Sequence, residues 1–251
     1  MQLKKKMIID GNYLFKYRGQ IPLILFILSI PIIWQNFDNN IYESNLKLVF
    51  HISGVFISLL GLLLRYYTVG STPDGTSGRN RNEQIAKYLN TRGAYSIIRH
   101  PLYLGNYFIW LGISIFSLSY ILIIITTLLF VIHYERIVLV EEQFLVNKFK
   151  NQYEKFCKIT PLLFPNFGNF KKPKHTFSIK KILKQEYSST FSTIISFLYL
   201  DFLTNIISSI KNSESIYMNN NIYVYILILT IISYVTLCLK YFRKHTRWLD
   251  D

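Results

Sequence analysis

Long apolar stretches separated by short polar or basic segments dominate the chain. They cover residues 21–34, 46–69, the two halves of 102–133, 191–210 and 222–241. A helix of about 20 apolar residues is long enough to cross the ~30 Å hydrocarbon core of a bilayer. The first stretch is short and contains Pro22 and Pro31, so we expect it to be kinked or tilted. The pattern predicts an all-α, multi-pass integral membrane protein with about six spans.

The almost uncharged stretch 102–133 is predicted to be a helical hairpin. Ser117-Leu118-Ser119, near its middle, is the best place for the chain to reverse. Each arm of about 15 residues would rise roughly 22 Å, which is somewhat short for the bilayer. The hairpin returns the chain to the face where it began, so that Glu141 and Glu142 can meet residues near position 100.

Residues 134–158 have a different pattern, in which apolar residues recur at steps of three and four among charged ones. This periodicity predicts a separate amphipathic helix on or near the membrane surface. Pro161 and Pro165 are expected to end it. The basic segment that follows, Lys171 to Lys184, is interpreted as binding anionic lipid headgroups.

The composition supports a membrane protein, since 51% of the residues are hydrophobic and only 17% are charged. The formal net charge of +14 does not indicate a nucleic-acid partner, because the basic residues lie beside the apolar segments. With the N-terminus in the cytoplasm, 26 of the 28 lysines and arginines fall on the inner side. The positive-inside rule then places both termini in the cytoplasm.

The segment 93–105, which we call the lip, carries the candidate chemistry. It places Tyr95, Arg99, His100 and Tyr103 at the mouth of an apolar segment, where polar groups are costly unless they have a task. Pro101 suits the first turn of a new helix, and Gly105 leaves room for a ligand or another helix. We interpret the lip as a ligand-binding site at the membrane surface.

Other kinds of site have little support in the sequence. The two cysteines are far apart, and the five histidines lack a metal-binding spacing. The loop 70–92 lacks both dinucleotide and Walker fingerprints, so we expect a flexible cover for the lip. We therefore expect no metal site and no nucleotide-binding loop.

Three elements of the sequence occur in a recognisable order. Residues 99–105 read Arg-His-Pro-Leu-Tyr-Leu-Gly, and a hairpin is followed by Arg136 and by Glu-Glu-x-x-Leu at 141–145. Phe149-x-x-x-Tyr153 closes the segment. This arrangement resembles the isoprenylcysteine carboxyl methyltransferase and phospholipid methyltransferase superfamily.

The resemblance covers residues 46–165 and divides the chain into three parts. Residues 1–45 would form an N-terminal membrane segment with its outer loop, and 46–165 the methyltransferase-like core. Residues 166–251 would add the basic segment and two further membrane helices.

The resemblance implies S-adenosylmethionine as cofactor, bound without a Rossmann fold. Glu142 would pair with its amino group, and His100 would bind its carboxylate or ribose. Tyr95 and Tyr103 would contact the adenine, with Pro101 and Gly105 completing the cofactor site. Glu141 is expected to face solvent or to pair along the helix.

The implied reaction is methyl transfer to a lipophilic acceptor with a carboxylate, phosphate or amine headgroup. Arg99 or Arg136 would align an anionic acceptor at the cytoplasmic face of a bacterial inner membrane. Two alternatives remain open, namely a membrane reductase of related architecture that uses NADPH and a non-catalytic membrane scaffold.

Overall fold

The computed structural model describes residues 2–73, 75–76, 84–212, 221–246 and 249, and within them the regular structure is helical. Within these described residues, ten α-helices follow one another as α1 Gln2–Tyr17, α2 Pro22–Asn36, α3 Asn39–Glu43, α4 Asn45–Gly70, α5 Ala94–Ile97, α6 Pro101–Phe116, α7 Tyr120–Phe149, α8 Asn151–Ile159, α9 Ile179–Lys211 and α10 Asn221–His245. A short 3₁₀ turn occupies Phe167–Asn169. The predicted all-α, multi-pass membrane class is confirmed.

Four of the described helices, α4, α7, α9 and α10, are long and apolar enough to cross a membrane. The pair α1 and α2 would make a fifth span if taken together, although it is bent by 87°. Helix α6 is apolar but has only 16 residues. The number of six spans stays a prediction, and the predicted polar loop around Asn220 lies outside the described residues.

The most extensive helix–helix contact among the described residues joins α4 to α6 through small residues. A Cβ on Gly54 would lie 2.6 Å from the Gly112 carbonyl oxygen, and one on Gly61 would lie 2.5 Å from the Gly105 carbonyl oxygen. Between these contacts, Ser58 donates a hydrogen bond to the Ile109 carbonyl at 3.0 Å. Small residues allow such close approach where no hydrophobic effect drives helices together.

The hairpin reversal lies where the sequence predicts it, between the end of α6 at Phe116 and the start of α7 at Tyr120. Leu118 takes a positive φ of 62° in the turn, and the Ser119 side chain caps α7. The predicted start of a separate amphipathic helix at 134 is wrong, because α7 continues to Phe149. No glycine or proline interrupts residues 120–149, so the helix has no local reason to end earlier.

The break falls at Lys150, which has a positive φ of 44° and separates α7 from α8. Helix α8 ends at Ile159, two residues before Pro161. Near the N-terminus, α1 is a helix that the hydropathy pattern does not predict. It packs across α7 at Gly11, where a Cβ would lie 2.4 Å from the Arg136 carbonyl oxygen.

Helix α9 begins twelve residues before the predicted span, because Ser178 caps it and starts the helix at Ile179. Its basic first turns are therefore part of the helix. Lys181 is only 4% exposed and donates to the Thr72 carbonyl oxygen. The predicted headgroup-binding role is thus wrong for Lys181. Helix α9 packs against α4, α6 and α10 and brings its N-terminal half to the lip.

Candidate active site at the lip

The backbone of the lip is held by the segment that follows α8. Gly93, with a φ of 60°, precedes the short helix α5, and its N–H donates to the Lys171 carbonyl at 2.8 Å. The Arg99 N–H donates to the Pro161 carbonyl at 3.0 Å. His100 then stands at the N-cap of α6 with Pro101 in the first turn. These bonds fix the directions in which the lip side chains project.

Two cations and two carboxylates meet at the lip. Arg99 Nη1 lies 2.7 Å from Glu142 Oε1. The two ring nitrogens of His100 face different carboxylates, with Nε2 3.3 Å from Glu142 Oε1 and Nδ1 3.3 Å from Glu141 Oε2. The hairpin therefore does bring the glutamates back to the lip, although Glu142 follows His100 by 42 residues in the sequence.

These carboxylates determine the charge of His100. Burial alone would lower the pKa of the imidazole, but hydrogen bonds and charge interactions with Glu141 and Glu142 outweigh it and raise the pKa to about 9. His100 is therefore protonated at neutral pH. The four groups Arg99, His100, Glu141 and Glu142 then balance in charge, which lowers the free-energy cost of burying them.

A cavity of about 430 Å³ opens beside this cluster. Its polar end is lined by Tyr95, Arg99, His100, Tyr103, Glu141 and the residues 84–86 and 88–90. Its other end runs between the helices and is lined mainly by apolar and small hydroxyl side chains, among them Phe26, Ile109, Trp110, Ile113, Ser114, Leu122, Ser192, Ser196 and Leu200. One cavity thus connects a charged surface site with the interior of the helix bundle.

Aromatic rings line the passage between the two ends. His100 stacks on Tyr103 with 5.5 Å between ring centroids, and Tyr103 lies 4.8 Å from the Tyr134 ring. Burial raises the pKa of the Tyr95 hydroxyl, so this group is a neutral donor at physiological pH. Flat rings with polar edges suit a planar heterocycle, and the adjacent charges suit a zwitterion.

Apart from Glu142, the predicted site residues divide into three groups. Tyr95, Arg99, His100 and Tyr103 line the cavity together. Pro101 and Gly105 are not among the lining residues, and Gly105 packs against α4 instead. Arg136 is also absent from the lining, since it donates to the Ile132 carbonyl and lies 3.8 Å from Asp10.

The two glutamates are arranged differently from the expectation. Glu141, expected to face solvent, lines the cavity. Glu142 is not among the lining residues and instead contacts Arg99 and His100. Helix geometry explains this difference. Tyr134, Glu141 and Leu145 follow at steps of seven and four residues, so they share the face of α7 that borders the cavity.

Sequence reasoning missed four polar residues deeper in the cavity wall. Arg65 on α4 forms a bidentate ion pair with Glu186 on α9, with both N···O distances 2.8 Å. Arg65 also donates to Asn106 on α6, which donates to Tyr134 on α7. The available signal was the occurrence of Arg65 and Asn106 inside apolar spans, because an intramembrane polar residue is by default a functional candidate.

Comparisons with known proteins agree with the motif. Residues 49–152 match the family model described as phospholipid methyltransferase. The chain is 25% identical over 162 residues to the cobalt-zinc-cadmium resistance protein CzcN of Cupriavidus metallidurans, covering 64% of this chain and 69% of that protein. It is 30% identical over 95 residues to the nickel-cobalt-cadmium resistance protein NccN of Alcaligenes xylosoxydans xylosoxydans, covering 38% of this chain and 42% of that protein.

No solved structure shows significant similarity to the chain. Within the part of the chain that the structure describes, no three His, Cys, Asp or Glu side chains come together in a group that could hold a metal ion.

Proposed function

We propose that the chain, whose residues 49–152 match a family of the isoprenylcysteine carboxyl methyltransferase-like superfamily of membrane methyltransferases, transfers a methyl group from S-adenosylmethionine to a lipophilic acceptor. One observation carries this proposal. A single cavity joins the charged lip to an apolar channel between the helices. A reaction between a polar cofactor and a membrane-dissolved acceptor needs such a junction.

The cavity fits the cofactor in size and in chemistry. Its volume of about 430 Å³ falls within the ~300–1,000 Å³ of small-molecule sites. Glu141 would hold the ammonium group and Arg99 the carboxylate, while Tyr95 and Tyr103 would enclose the adenine. The role first expected for Glu142 thus passes to Glu141 in this proposal. Glu142 instead keeps Arg99 and His100 in place.

The bound cofactor would supply an electrophilic methyl group on a sulfonium. The protein has to keep water out and align the acceptor behind that methyl group. The apolar channel, bordered by Phe26, Ile113 and Leu200, would hold the lipophilic part of the acceptor. A carboxylate or phosphate headgroup is already ionised at neutral pH and needs no general base. An amine headgroup is the other acceptor that the proposal includes.

The proposed location follows from charge. The lip lies at the end of the bundle where α4 ends, α6 and α9 begin and α7 approaches its C-terminus. The basic residues concentrate near this end, which the positive-inside rule assigns to the cytoplasm. We therefore place the site at the cytoplasmic face of a bacterial inner membrane.

Titration of the purified protein by isothermal calorimetry tests the proposal. S-adenosylhomocysteine, the demethylated form of the cofactor, is expected to bind, and NADPH is not. Binding of NADPH alone would indicate a membrane reductase, and binding of neither would leave a scaffold. Zn²⁺ is titrated as a third ligand because the relatives are named for metal resistance. Tight Zn²⁺ binding without S-adenosylhomocysteine binding would contradict the proposal.

A further inference from the structure

Below the lip, four side chains from four helices form a continuous chain of hydrogen bonds in the cavity wall. Glu186 of α9 accepts from Arg65 Nε and Nη2 of α4, each at 2.8 Å. Arg65 Nη1 donates to Asn106 Oδ1 of α6 at 2.5 Å. Asn106 Nδ2 then donates to the Tyr134 hydroxyl of α7 at 2.7 Å. All four residues line the cavity, and we call them the relay.

The direction of every bond in the relay is fixed by chemistry. A guanidinium only donates, so Asn106 must turn its carbonyl oxygen toward Arg65. Its NH₂ group is thereby directed at Tyr134, whose oxygen must accept. The hydroxyl hydrogen of Tyr134 is then left over. Among the described residues, none accepts a hydrogen bond from Tyr134.

We infer that the relay fixes the Tyr134 hydroxyl as a hydrogen-bond donor to an oxygen of the molecule bound in the cavity. This inference rests on the proposed function, because that molecule is the cofactor or the acceptor. The oxygen belongs to a carboxylate, a phosphate or a hydroxyl group. An ammonium group offers only donors and is not held at this point. Tyr134 is the binding residue, and Glu186, Arg65 and Asn106 are positioning residues that act through it.

The relay makes α9 an integral part of the site although the family match ends at residue 152. Glu186 is 2% exposed and supplies the carboxylate without which Arg65 would be a buried, unpaired charge. Gly105 also contributes to the position of Arg65 in the relay. A Cβ on Gly105 would lie 2.6 Å from Arg65 Cγ, so the glycine leaves room for the arginine stem.

The test compares the full-length wild type with Tyr134→Phe, Glu186→Gln and the double variant. If the oxygen belongs to the cofactor, each single variant weakens S-adenosylhomocysteine binding roughly tenfold and the double variant weakens it no further. If it belongs to the acceptor, S-adenosylhomocysteine binding is unchanged. Instead, the KM for the lipid acceptor rises roughly tenfold, measured with S-adenosylmethionine as methyl donor and a total bacterial lipid extract as acceptor.

A matched control exists between α4 and α9, the two helices that the Arg65–Glu186 ion pair connects. The Tyr66 hydroxyl of α4 pairs with Thr190 Oγ1 of α9 at 2.5 Å, and neither residue lines the cavity. Tyr66→Phe removes a comparable hydrogen bond and is expected to leave binding and KM unchanged. An equal effect of Tyr66→Phe and Tyr134→Phe on binding or KM would reduce the relay to an ordinary helix contact and overturn the inference.

A readout without any ligand separates this inference from the proposed function. Thermal unfolding of the same four proteins forms a double-mutant cycle. Tyr134→Phe is expected to lower the unfolding temperature clearly in the wild type but much less in Glu186→Gln, where Asn106 is free to turn. Additive effects would overturn the inference. Failure of the wild type to bind S-adenosylhomocysteine or to transfer methyl groups would refute the proposed function, while the cycle would still decide the relay.

Discussion

Glu141 and Glu142 are adjacent in the chain, but their carboxylates have different surroundings. Glu141 lines the cavity and touches His100, whereas Glu142 also pairs with Arg99. Glu141→Gln should therefore weaken S-adenosylhomocysteine binding more than tenfold, because removing one partner of a buried charge pair typically costs ~2–5 kcal/mol and leaves the other charge uncompensated. Glu142→Gln should mainly lower the unfolding temperature. Calorimetry and thermal unfolding measure the two effects.

The exposed Glu154 of α8 supplies the control for both variants. Glu154→Gln removes the same charge from the same side of the protein and should change neither quantity. A larger loss of binding in Glu142→Gln than in Glu141→Gln would reverse the assignment of the two carboxylates.

His100 gives the lip a pH dependence of defined sign. Its pKa, raised to about 9 by the facing Glu141 and Glu142, exceeds the ~6.5 expected in the unfolded chain. Its contribution to stability, roughly 3 kcal/mol by linkage, is fully present below pH ~6.5 and is lost as the pH rises through about 9. The unfolding temperature of the wild type should fall between pH 7 and 10. In His100→Gln this fall should be smaller, and an identical profile would refute a protonated His100.

At the scale of elements, the α4–α6 contact sets the geometry of the cavity wall. Gly105→Ala would place a methyl group 2.6 Å from Arg65 Cγ and 2.9 Å from the Gly61 carbonyl oxygen, which is backbone and cannot yield. Overpacking of this kind typically costs ~1–3 kcal/mol, and it would also displace Arg65 from Asn106. A lower unfolding temperature together with lost activity is expected.

Gly168→Ala is the matched control for this prediction, since its nearest neighbour is the Asn166 side-chain oxygen at 3.3 Å. It should leave both stability and activity close to the wild type. Wild-type activity in Gly105→Ala would show that the close α4–α6 contact is unnecessary for the site.

Some of the helices and contacts can be predicted from the sequence, and others cannot. Hydropathy predicts the membrane helices because the length of an apolar stretch is nearly sufficient to identify a membrane-spanning helix. The serines at 117 and 119 interrupt such a stretch and predict the turn of the hairpin. The sequence also identifies the charged residues at the lip. The ion pair of Arg65 with Glu186 was not predictable, because 121 residues separate the partners and no spacing rule indicates which helices become neighbours.

Two further errors have a common physical cause. The amphipathic pattern after residue 134 was interpreted as a new helix, although a change in polarity along a helix only marks where it leaves the membrane. The basic residues before 191 are likewise predicted to bind lipid headgroups, although Lys181 is buried inside α9. Polarity shows the environment of a helix, while caps and breaking residues such as Ser178 and Lys150 set its ends.

At the scale of the whole molecule, the proposed orientation predicts which surface faces out. In a Cys157→Ala, Cys238→Ala background, a cysteine at the exposed Asn40 should react with an impermeant thiol reagent added to intact cells. One at the exposed Lys155 of α8 should react only after the cells are opened. The reverse pattern would place the lip on the outer face. A probe at Asn82 was also predicted to be protected, but that position lies outside the described residues.

The proposed function of the cavity at the lip is the transfer of methyl groups to lipids. The most direct measurement incubates the purified protein with tritium-labelled S-adenosylmethionine in vesicles of total bacterial lipid and counts the label extracted into organic solvent. Lipid-soluble label is expected with the wild type and with Glu154→Gln, and little above background with Glu141→Gln. Equal labelling by Glu141→Gln, or none by the wild type, would contradict the proposed function.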